Sequence, residues 1–306
     1  MARDTENIDY YLFGKVKVEP ILKWAGGKRQ LIPFFIDLLP ESFEVYYEPF
    51  VGGGALLTSL YNMGLIRKAV ISDTNADLIN LYKLIKEKPN ELIEEINRLN
   101  PKNTADFYYR ARKEFNSIKE FNSRKGALLI YLNRHCYNGL WRVNSRGEFN
   151  VPFGRYKNPN MPSKEKILAF HTMLSLVDIR NEDFEYAVKD ARRGDFVYFD
   201  PPYFPVSETA NFTSYVVDGF SYNDQVRLSR VMKELDRRGV QVMLSNSDVK
   251  EIRDLYSEFK IYSVEANRFI NSDPNKRKGI REIIVLNYEV KRKLAWWKRD
   301  KDRENS

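Results

Sequence analysis

Seven strand-like runs are spread along the chain, and helical periodicity separates several of them. They are Val45–Glu48, Lys68–Ser72, Leu176–Arg180, Phe196–Phe199, Val240–Ser245, Tyr262–Ala266 and Glu282–Tyr288. Leu228, Val231 and Leu235, ahead of Gly239-Val240, show the intervening period. Strands and helices in alternation point to an α/β sheet with ligands at the carboxyl ends of its strands. The last two runs are joined by a basic polar loop without a helical pattern, which includes Asn275-Lys276-Arg277-Lys278. A hairpin is expected there, giving a mixed sheet with one antiparallel strand near its end. From Asn75 to about Phe170 the pattern turns helical, through Leu78, Ile79, Tyr82 and Ile85, then Phe107, Ala111, Phe115 and Ile118, then Leu128 to Leu132. Pro89, Pro101 and Asn158-Pro159-Asn160-Met161-Pro162 punctuate it. The expected organisation is a discontinuous sheet domain at 18–75 and 171–289, a mostly helical insertion at 76–170 and a basic tail at 290–306.

Composition removes several function classes. The 306 residues are 43% hydrophobic and 30% charged, as in a soluble globular chain of one large or two intimate domains. The longest uncharged run, Pro49 to Ile66, contains Gly52, Gly53, Gly54, Asn62 and Gly64, so it reads as a turn and helix rather than a bilayer span. Met1 to Glu6 has no apolar core or cleavage pattern; the expected location is cytoplasmic, with no membrane partner. A single cysteine, Cys136, leaves no disulfide framework and no Cys-rich zinc site. Two histidines, His135 and His171, argue against a His-based metal centre and a Ser-His-Asp hydrolase. No metal is expected, and chemistry falls to carboxylates, backbone groups or a bound cofactor.

The net charge of +8 points to a polyanion. Between Arg134 and Lys157, Tyr137, Trp141, Phe149, Phe153 and Tyr156 interleave with Arg142, Arg146 and Arg155. Basic groups neutralise phosphates, and aromatic rings stack on bases or wedge between them. An ordinary surface loop is the alternative for this block, and a solvated terminus is the reading of the tail.

Two motifs carry the chemistry. In Tyr47-Glu48-Pro49-Phe50-Val51-Gly52-Gly53-Gly54-Ala55-Leu56 a strand runs into glycines and a helix start, where backbone can approach a ligand closely. No Gly-Lys-Ser/Thr follows, which disfavours a nucleoside triphosphate. About 20 residues on, Asp73 ends a second strand, placed to accept from ribose hydroxyls. Its alternative is a helix cap in Asp73-Thr74-Asn75. Together they favour a nucleoside-containing cofactor. The second motif, Phe196-Val197-Tyr198-Phe199-Asp200-Pro201-Pro202-Tyr203, is an apolar strand ending in an acid, two prolines and a ring. Tandem prolines release carbonyls from ladder pairing, so Asp200 and Pro201 offer two acceptors beside the face of Tyr203. That set suits an exocyclic amino group, although a Pro-Pro strand end is structurally useful by itself.

From about Pro20 to Tyr288 the chain resembles the D12-class, Dam-like DNA adenine-N6 methyltransferases. The resemblance rests on Leu22-Lys23-Trp24-Ala25-Gly26-Gly27-Lys28, Glu48 to Gly54, Ser72 to Leu78 and Tyr131 to Arg142. Gly147 to Gly154, Asp200-Pro201-Pro202-Tyr203 and Thr209-Ala210-Asn211-Phe212-Thr213 complete it. It implies a Rossmann-like fold using S-adenosyl-L-methionine, with S-adenosyl-L-homocysteine as product, and a target-recognition role for the helical insertion. Trp24, Lys28, Asp73 and Asp200 would line the cofactor site, with Glu48, Phe50 and Gly52 beside it. Asp183-Phe184 resembles the pair that embraces the cofactor adenine. On double-stranded DNA, Lys23 would meet the first guanine, and Tyr137 would wedge in as the adenine leaves, with Asn138 beside it. Leu140 and Pro152 would pack on a thymine methyl and Arg142 would read a guanine. Asn144, Arg155 and Tyr156 complete the implied DNA-binding set. Without the resemblance, Lys23 reads as a solvated face and Tyr137 as a core ring.

The implied reaction is methyl transfer to adenine N6, with Asp200, Pro201, Pro202 and Tyr203 as the catalytic motif and the target base flipped. Cytosine-C5 methylation is disfavoured because Cys136 precedes Tyr137 and lacks the Pro-Cys context. Cytosine-N4 methylation and a silent DNA-binding module of the same fold are the alternatives carried. Asn138 to Asn144 resembles the recognition loop of GATC-specific relatives, with GATATC-like sites as runner-up. A cognate restriction endonuclease acting on the same site is compatible with the resemblance, and no stable protein partner is implied.

Overall fold

The computed structural model describes residues 17–24, 31–205, 216–217, 220–266 and 280–290. Lys28, the segment Thr209 to Thr213, the basic loop at Asn275 to Lys278 and the tail from residue 291 lie outside the described residues. In chain order the elements are α1 (Ile32–Asp37), β1 (Tyr46–Glu48), α2 (Ala55–Asn62), β2 (Ala69–Ser72), α3 (Ala76–Glu87), α4 (Pro89–Leu99), α5 (Ala105–Ser117), α6 (Ser123–His135), α7 (Lys164–Leu174) and β3 (Val177–Arg180). Then come α8 (Phe184–Ala187), β4 (Phe196–Phe199), β5 (Val216–Val217), β6 (Phe220–Ser221), α9 (Tyr222–Arg237), β7 (Gln241–Ser247), α10 (Lys250–Leu255), β8 (Lys260–Ala266) and β9 (Ile280–Leu286). The seven expected strands are β1 to β4 and β7 to β9. The two-residue arms β5 and β6 are too short to show a period in sequence. No helix among the described residues is long and apolar enough to cross a membrane.

The chain divides into two compact units. One comprises Lys28–Val51, Arg67–Asp73 and Glu182–Ser306. Six strands of the sheet lie here, in the order β2-β1-β4-β7-β9-β8. β1 is parallel to β2 and β4, and β4 to β7, whereas β9 is antiparallel to both β7 and β8. The sheet is therefore mixed, with an antiparallel hairpin at its C-terminal end. Every residue of β4 is buried because both faces are covered. Val197 and Phe199 join Leu228, Met232, Val242, Leu244, Ile283 and Val285 on one face. On the other, Tyr198 packs on Phe35 and Phe196 on Phe43. α9 begins with a capping box, in which Ser221 and Asp224 each accept from the other's backbone N–H. The parallel register gathers the carboxyl ends of β1, β2, β4 and β7. Because β9 runs the other way, Glu282 near its start lies opposite Ser247 at the end of β7.

The other unit comprises Met1–Gly27, Gly52–Ile66 and Thr74–Asn181. α6 is its centre, buried from Gly126 through Asn133 and packed against α3, α4 and α5. A Cβ at Gly126 would lie 2.6 Å from Leu84 Cδ2 and 3.3 Å from Leu92 Cδ1, so glycine is what lets α3 and α4 approach. Asn75, Thr104, Asn122 and Ser163 cap α3, α5, α6 and α7 with side-chain oxygens. The α3 cap is thus Asn75 rather than Asp73. After α6 the chain leaves helical geometry through one 3-10 turn at Tyr137–Gly139 and folds back as an irregular hairpin, bridged at Cys136–Phe153 and Val143–Phe149.

Gly126→Val should destabilise this unit by about 1–3 kcal/mol, because added methyls overpack the helix crossing. Chemical denaturation should show a lower midpoint, and an unchanged midpoint would show that the helices separate without cost.

Candidate active site and nucleic-acid interface

The turn after β4 is held by side chains from three other elements of its unit. Ser245 of β7 donates to Asp200 Oδ1 at 2.9 Å and shares a second 2.9 Å bond with Tyr198 Oη. Ser245 has one proton, given to Asp200, so Tyr198 is the donor in that pair. Tyr203 donates to the buried Glu282 at 2.7 Å, which fixes its ring. Gln225 of α9 donates to the Pro202 carbonyl at 2.9 Å and accepts from Asn246. Asn246 Oδ1 accepts from the Phe204 N–H, and Ser247 donates to the Phe204 carbonyl at 2.6 Å. Among the described residues no hydrogen bond ends on the Pro201 carbonyl. Burial and the carboxylates of Asp200 and Glu282 raise the Tyr203 hydroxyl well above its ordinary range, and burial with Asp200 does the same to Tyr198. Sequence reasoning missed Gln225, Ser245, Asn246, Ser247 and Glu282. The visible signal was Ser245-Asn246-Ser247, a polar triplet ending an apolar strand.

A second cluster occupies the same unit. Phe50 stacks on Phe184 with centroids 5.4 Å apart and meets Phe220 edge-on at 5.7 Å. The Asp183 carboxylate is engaged by both terminal nitrogens of Arg227, at 2.9 and 2.8 Å, and caps α8 through the Glu185 N–H. Arg227 in turn lies over the Phe184 ring at 4.3 Å. Next door, Ser72 donates to the Glu182 carbonyl at 2.7 Å and accepts from its N–H at 3.2 Å. This locks the end of β2, and so Asp73, to the Glu182–Phe184 turn. Glu182 Oε2 is buried without a hydrogen-bond partner among the described residues. Phe184 is covered by Phe50 and Arg227, so the ring left partly open for a planar base is Phe50. That ring face and the unmatched acceptor fit a nucleoside bearing amino and hydroxyl donors. Glu48 is buried and accepts from Tyr46 Oη at 3.0 Å.

In the other unit, Gly52 has φ +46°, and a Cβ there would lie 2.7 Å from Trp24 Cδ1. The group that approaches this glycine is therefore the Trp24 indole. Tyr82 donates to the Gly52 carbonyl at 2.6 Å from below. Asn133 at the end of α6 grips the Lys23 backbone at both its N–H (2.8 Å) and its carbonyl (2.7 Å). The Lys23 ammonium lies 4.5 Å from the Tyr156 ring centre. Desolvation, with Arg134 nearby, lowers its pKa.

The hairpin after α6 carries the remaining residues expected to meet DNA. Tyr137 is 47% exposed and its N–H donates to the Pro152 carbonyl, which joins the two arms. Asn138 and Arg155 are exposed, each at φ +54°. Leu140 is partly buried and Pro152 exposed. Arg142 is exposed, and Asn150 accepts from its Nε at 2.7 Å, which sets the plane of the guanidinium. Asn144 spends its side chain on the turn, accepting from the Arg146 and Glu148 N–H groups and donating to Glu148. One face of α5 holds the returning arm by its backbone. Tyr108 and Arg112 donate to the Val151 carbonyl, and Asn116 pairs with both backbone groups of Phe149 at 3.0 and 2.9 Å. Tyr108, Arg112, Asn116 and Asn150 were not singled out in sequence, although the first three share a spacing of four. Burial pushes the Cys136 thiol up to about 12, so it offers no thiolate nucleophile at neutral pH.

The family model for the D12 class N6 adenine-specific DNA methyltransferases matches residues 24–270. Type II methyltransferase M1.LlaDCHI of Lactococcus lactis subsp. cremoris is 46% identical over 279 residues, covering 90% of this chain and 97% of that protein. Type II methyltransferase M.MjaIII of Methanocaldococcus jannaschii is 42% identical over 289 residues, with 89% and 100% covered. The DNA adenine methylase of Escherichia coli (strain K12) is 37% identical over 272 residues, with 88% and 95% covered.

Asn116→Ala should speed hydrogen exchange at the Phe149 amide about tenfold, since roughly 1.4 kcal/mol of local hydrogen bonding is lost. An unchanged exchange rate would show that α5 does not hold the hairpin.

Proposed function

Because the chain belongs to the D12 class of N6 adenine-specific DNA methyltransferases, we propose that it methylates N6 of a flipped adenine within GATC in duplex DNA, using S-adenosyl-L-methionine. The observation that carries this reading is the turn after β4, where Asp200 is oriented by Ser245 and Tyr203 by Glu282. When bound, the cofactor supplies a methyl group activated by its sulfonium. The residues proposed to hold it are Trp24, Lys28, Glu48, Phe50, Gly52, Asp73, Asp183, Phe184 and Asp200. Phe50, backed by Phe184, gives the adenosyl base a ring face. Asp183 acts on that base indirectly, by pinning Arg227 over Phe184. Glu48, Asp200 and Glu282 suit a cationic ligand.

The chemical difficulty is that an exocyclic amine on adenine has its lone pair delocalised into the ring. Asp200 and the Pro201 carbonyl accept from the two N–H groups of that amine, which returns the lone pair to nitrogen. Pro202 keeps the Pro201 peptide rigid, and Tyr203, held by Glu282, offers its face to the extruded base. These contacts strengthen as nitrogen becomes nucleophilic, so they act on the barrier more than on substrate affinity.

The helical insertion at 76–170, with Lys23, supplies target recognition in this reading. Arg142, its guanidinium plane set by Asn150, reads guanine O6 and N7 at the last base pair. Leu140 and Pro152 meet the thymine methyl, and Lys23 meets the first guanine. Tyr137 fills the space left by the adenine, with Asn138 beside it. Arg155 and Tyr156 follow the backbone, and Asn144 shapes the turn that presents Arg142.

Labelled methyl transfer to duplex DNA, followed by sequencing of the modified positions, tests the reading. Asp200→Ala should lower kcat by more than 1,000-fold, the order of about 4 kcal/mol of transition-state stabilisation, with DNA affinity nearly unchanged. Near-normal turnover would remove Asp200 from the mechanism. Arg142→Ala should relax choice at the last base pair by about 1–3 kcal/mol while the first guanine stays discriminated. An unchanged last-position preference would assign that contact elsewhere.

A further inference from the structure

Trp141 lies between Leu140 and Arg142 and takes part in neither proposed base contact. Its indole nevertheless meets three rings. It stacks on Trp24 with centroids 6.3 Å apart and planes inclined by 17°. It faces Phe149 on the opposite arm of the hairpin at 5.3 Å, and Phe115 of α5 edge-on at 6.2 Å. Trp24 is itself seated on the glycine turn, 2.7 Å from where a Gly52 Cβ would be and 3.1 Å from that of Gly53. Tyr82 pins the Gly52 carbonyl, so the turn does not yield beneath the indole. The rings make an unbroken path from the glycine turn to the residues on either side of Trp141.

Rings that stack face to face and edge to face hold one another's orientation, so a change at one is felt at the next. A ligand that meets Trp24 meets an indole that Gly52 supports from one side and that stacks on Trp141, so contact there reaches the hairpin. On the hairpin, Phe149 and Phe115 confine Trp141 from the other side. Movement there changes where Leu140 and Arg142 stand.

We propose that Trp141 is a positioning residue that couples cofactor binding at Trp24 to the reading of DNA by Leu140 and Arg142. The proposal rests on Trp24 being a cofactor contact, as in the function proposed above. Coupling of this kind is reciprocal, so duplex DNA must tighten the cofactor by the factor with which the cofactor tightens DNA. A plain filler of the hairpin core would need only apolar volume at position 141. A coupling residue needs a ring face.

The test is calorimetric titration of S-adenosyl-L-homocysteine, alone and with a saturating duplex containing the methylated site. In the unaltered protein the duplex should tighten this ligand about tenfold, within the usual range of coupling between sites. Trp141→Phe, which keeps a ring against Trp24, should retain most of that factor. Trp141→Leu fills the space against Phe149 and Phe115 without a stacking face, and its factor should drop below about twofold while each ligand still binds alone. A leucine variant with the full factor overturns the proposal, as does an unaltered protein that binds both ligands without coupling. A leucine variant that no longer binds duplex, beside a phenylalanine variant without coupling, makes Trp141 a filler and also overturns it. Failure of S-adenosyl-L-homocysteine to bind the unaltered protein is a different result, which removes the cofactor reading and the coupling with it.

Discussion

Polar groups in the turn after β4, the Pro201 carbonyl apart, are met by side chains from other elements, and the structure of the sheet unit follows from how they are met. An unpaired buried donor or acceptor costs about 1–3 kcal/mol. Two consecutive prolines remove two backbone donors from the problem, but the carbonyls and the Phe204 N–H remain. Gln225, Asn246 and Ser247 supply partners for Pro202 and Phe204, and Ser245 and Glu282 for Asp200 and Tyr203. Those partners arrive from α9, β7 and β9, so all three elements must reach the same end of the sheet. The antiparallel direction of β9 is what delivers Glu282 there. A parallel strand in its place would begin at the opposite end of the sheet.

The same end of the sheet gathers Glu48, Asp200 and Glu282 around Tyr46, Tyr198 and Tyr203. Burial and these carboxylates push all three tyrosine hydroxyls upward, so they stay protonated and remain donors wherever the fold survives. The three hydroxyls therefore keep the donor role across the physiological range. Tyr198 orients Ser245, and Ser245 orients Asp200.

Much of this was legible in the chain itself. The alternation of strands and helices located the sheet, and the polar loop between Ala266 and Glu282 announced the final hairpin. Leu228, Val231 and Leu235 marked the buried face of α9, and the Asp73-Thr74-Asn75 cap was local enough to read, with Asn75 as the actual cap. What escaped were bonds from a side chain to a distant segment. Arg227 meets Asp183, Asn116 meets Phe149, and Asn133 meets Lys23, each across a long stretch of sequence. Such pairs add no periodicity to either partner. The glycine turn was legible as a place of close approach, but sequence pattern gave no sign that an indole of the same chain approaches it. Arg142 was visible as a reader of bases, whereas Asn150, which sets its plane, looked like any polar loop residue.

α5 grips the returning arm of the hairpin through the backbone of Phe149 and Val151, and touches none of the side chains from Arg142 to Glu148 in doing so. A segment held by its main chain can exchange its side chains without losing its seat. Exposed residues such as Val143 and Ser145 are thus open to replacement one at a time, each variant inheriting the same mounting, whereas Trp141 and Asn144 are tied by their side chains. New preferences for a nucleotide sequence can accumulate on such a mounting by single substitutions, with no refitting of the helices behind it.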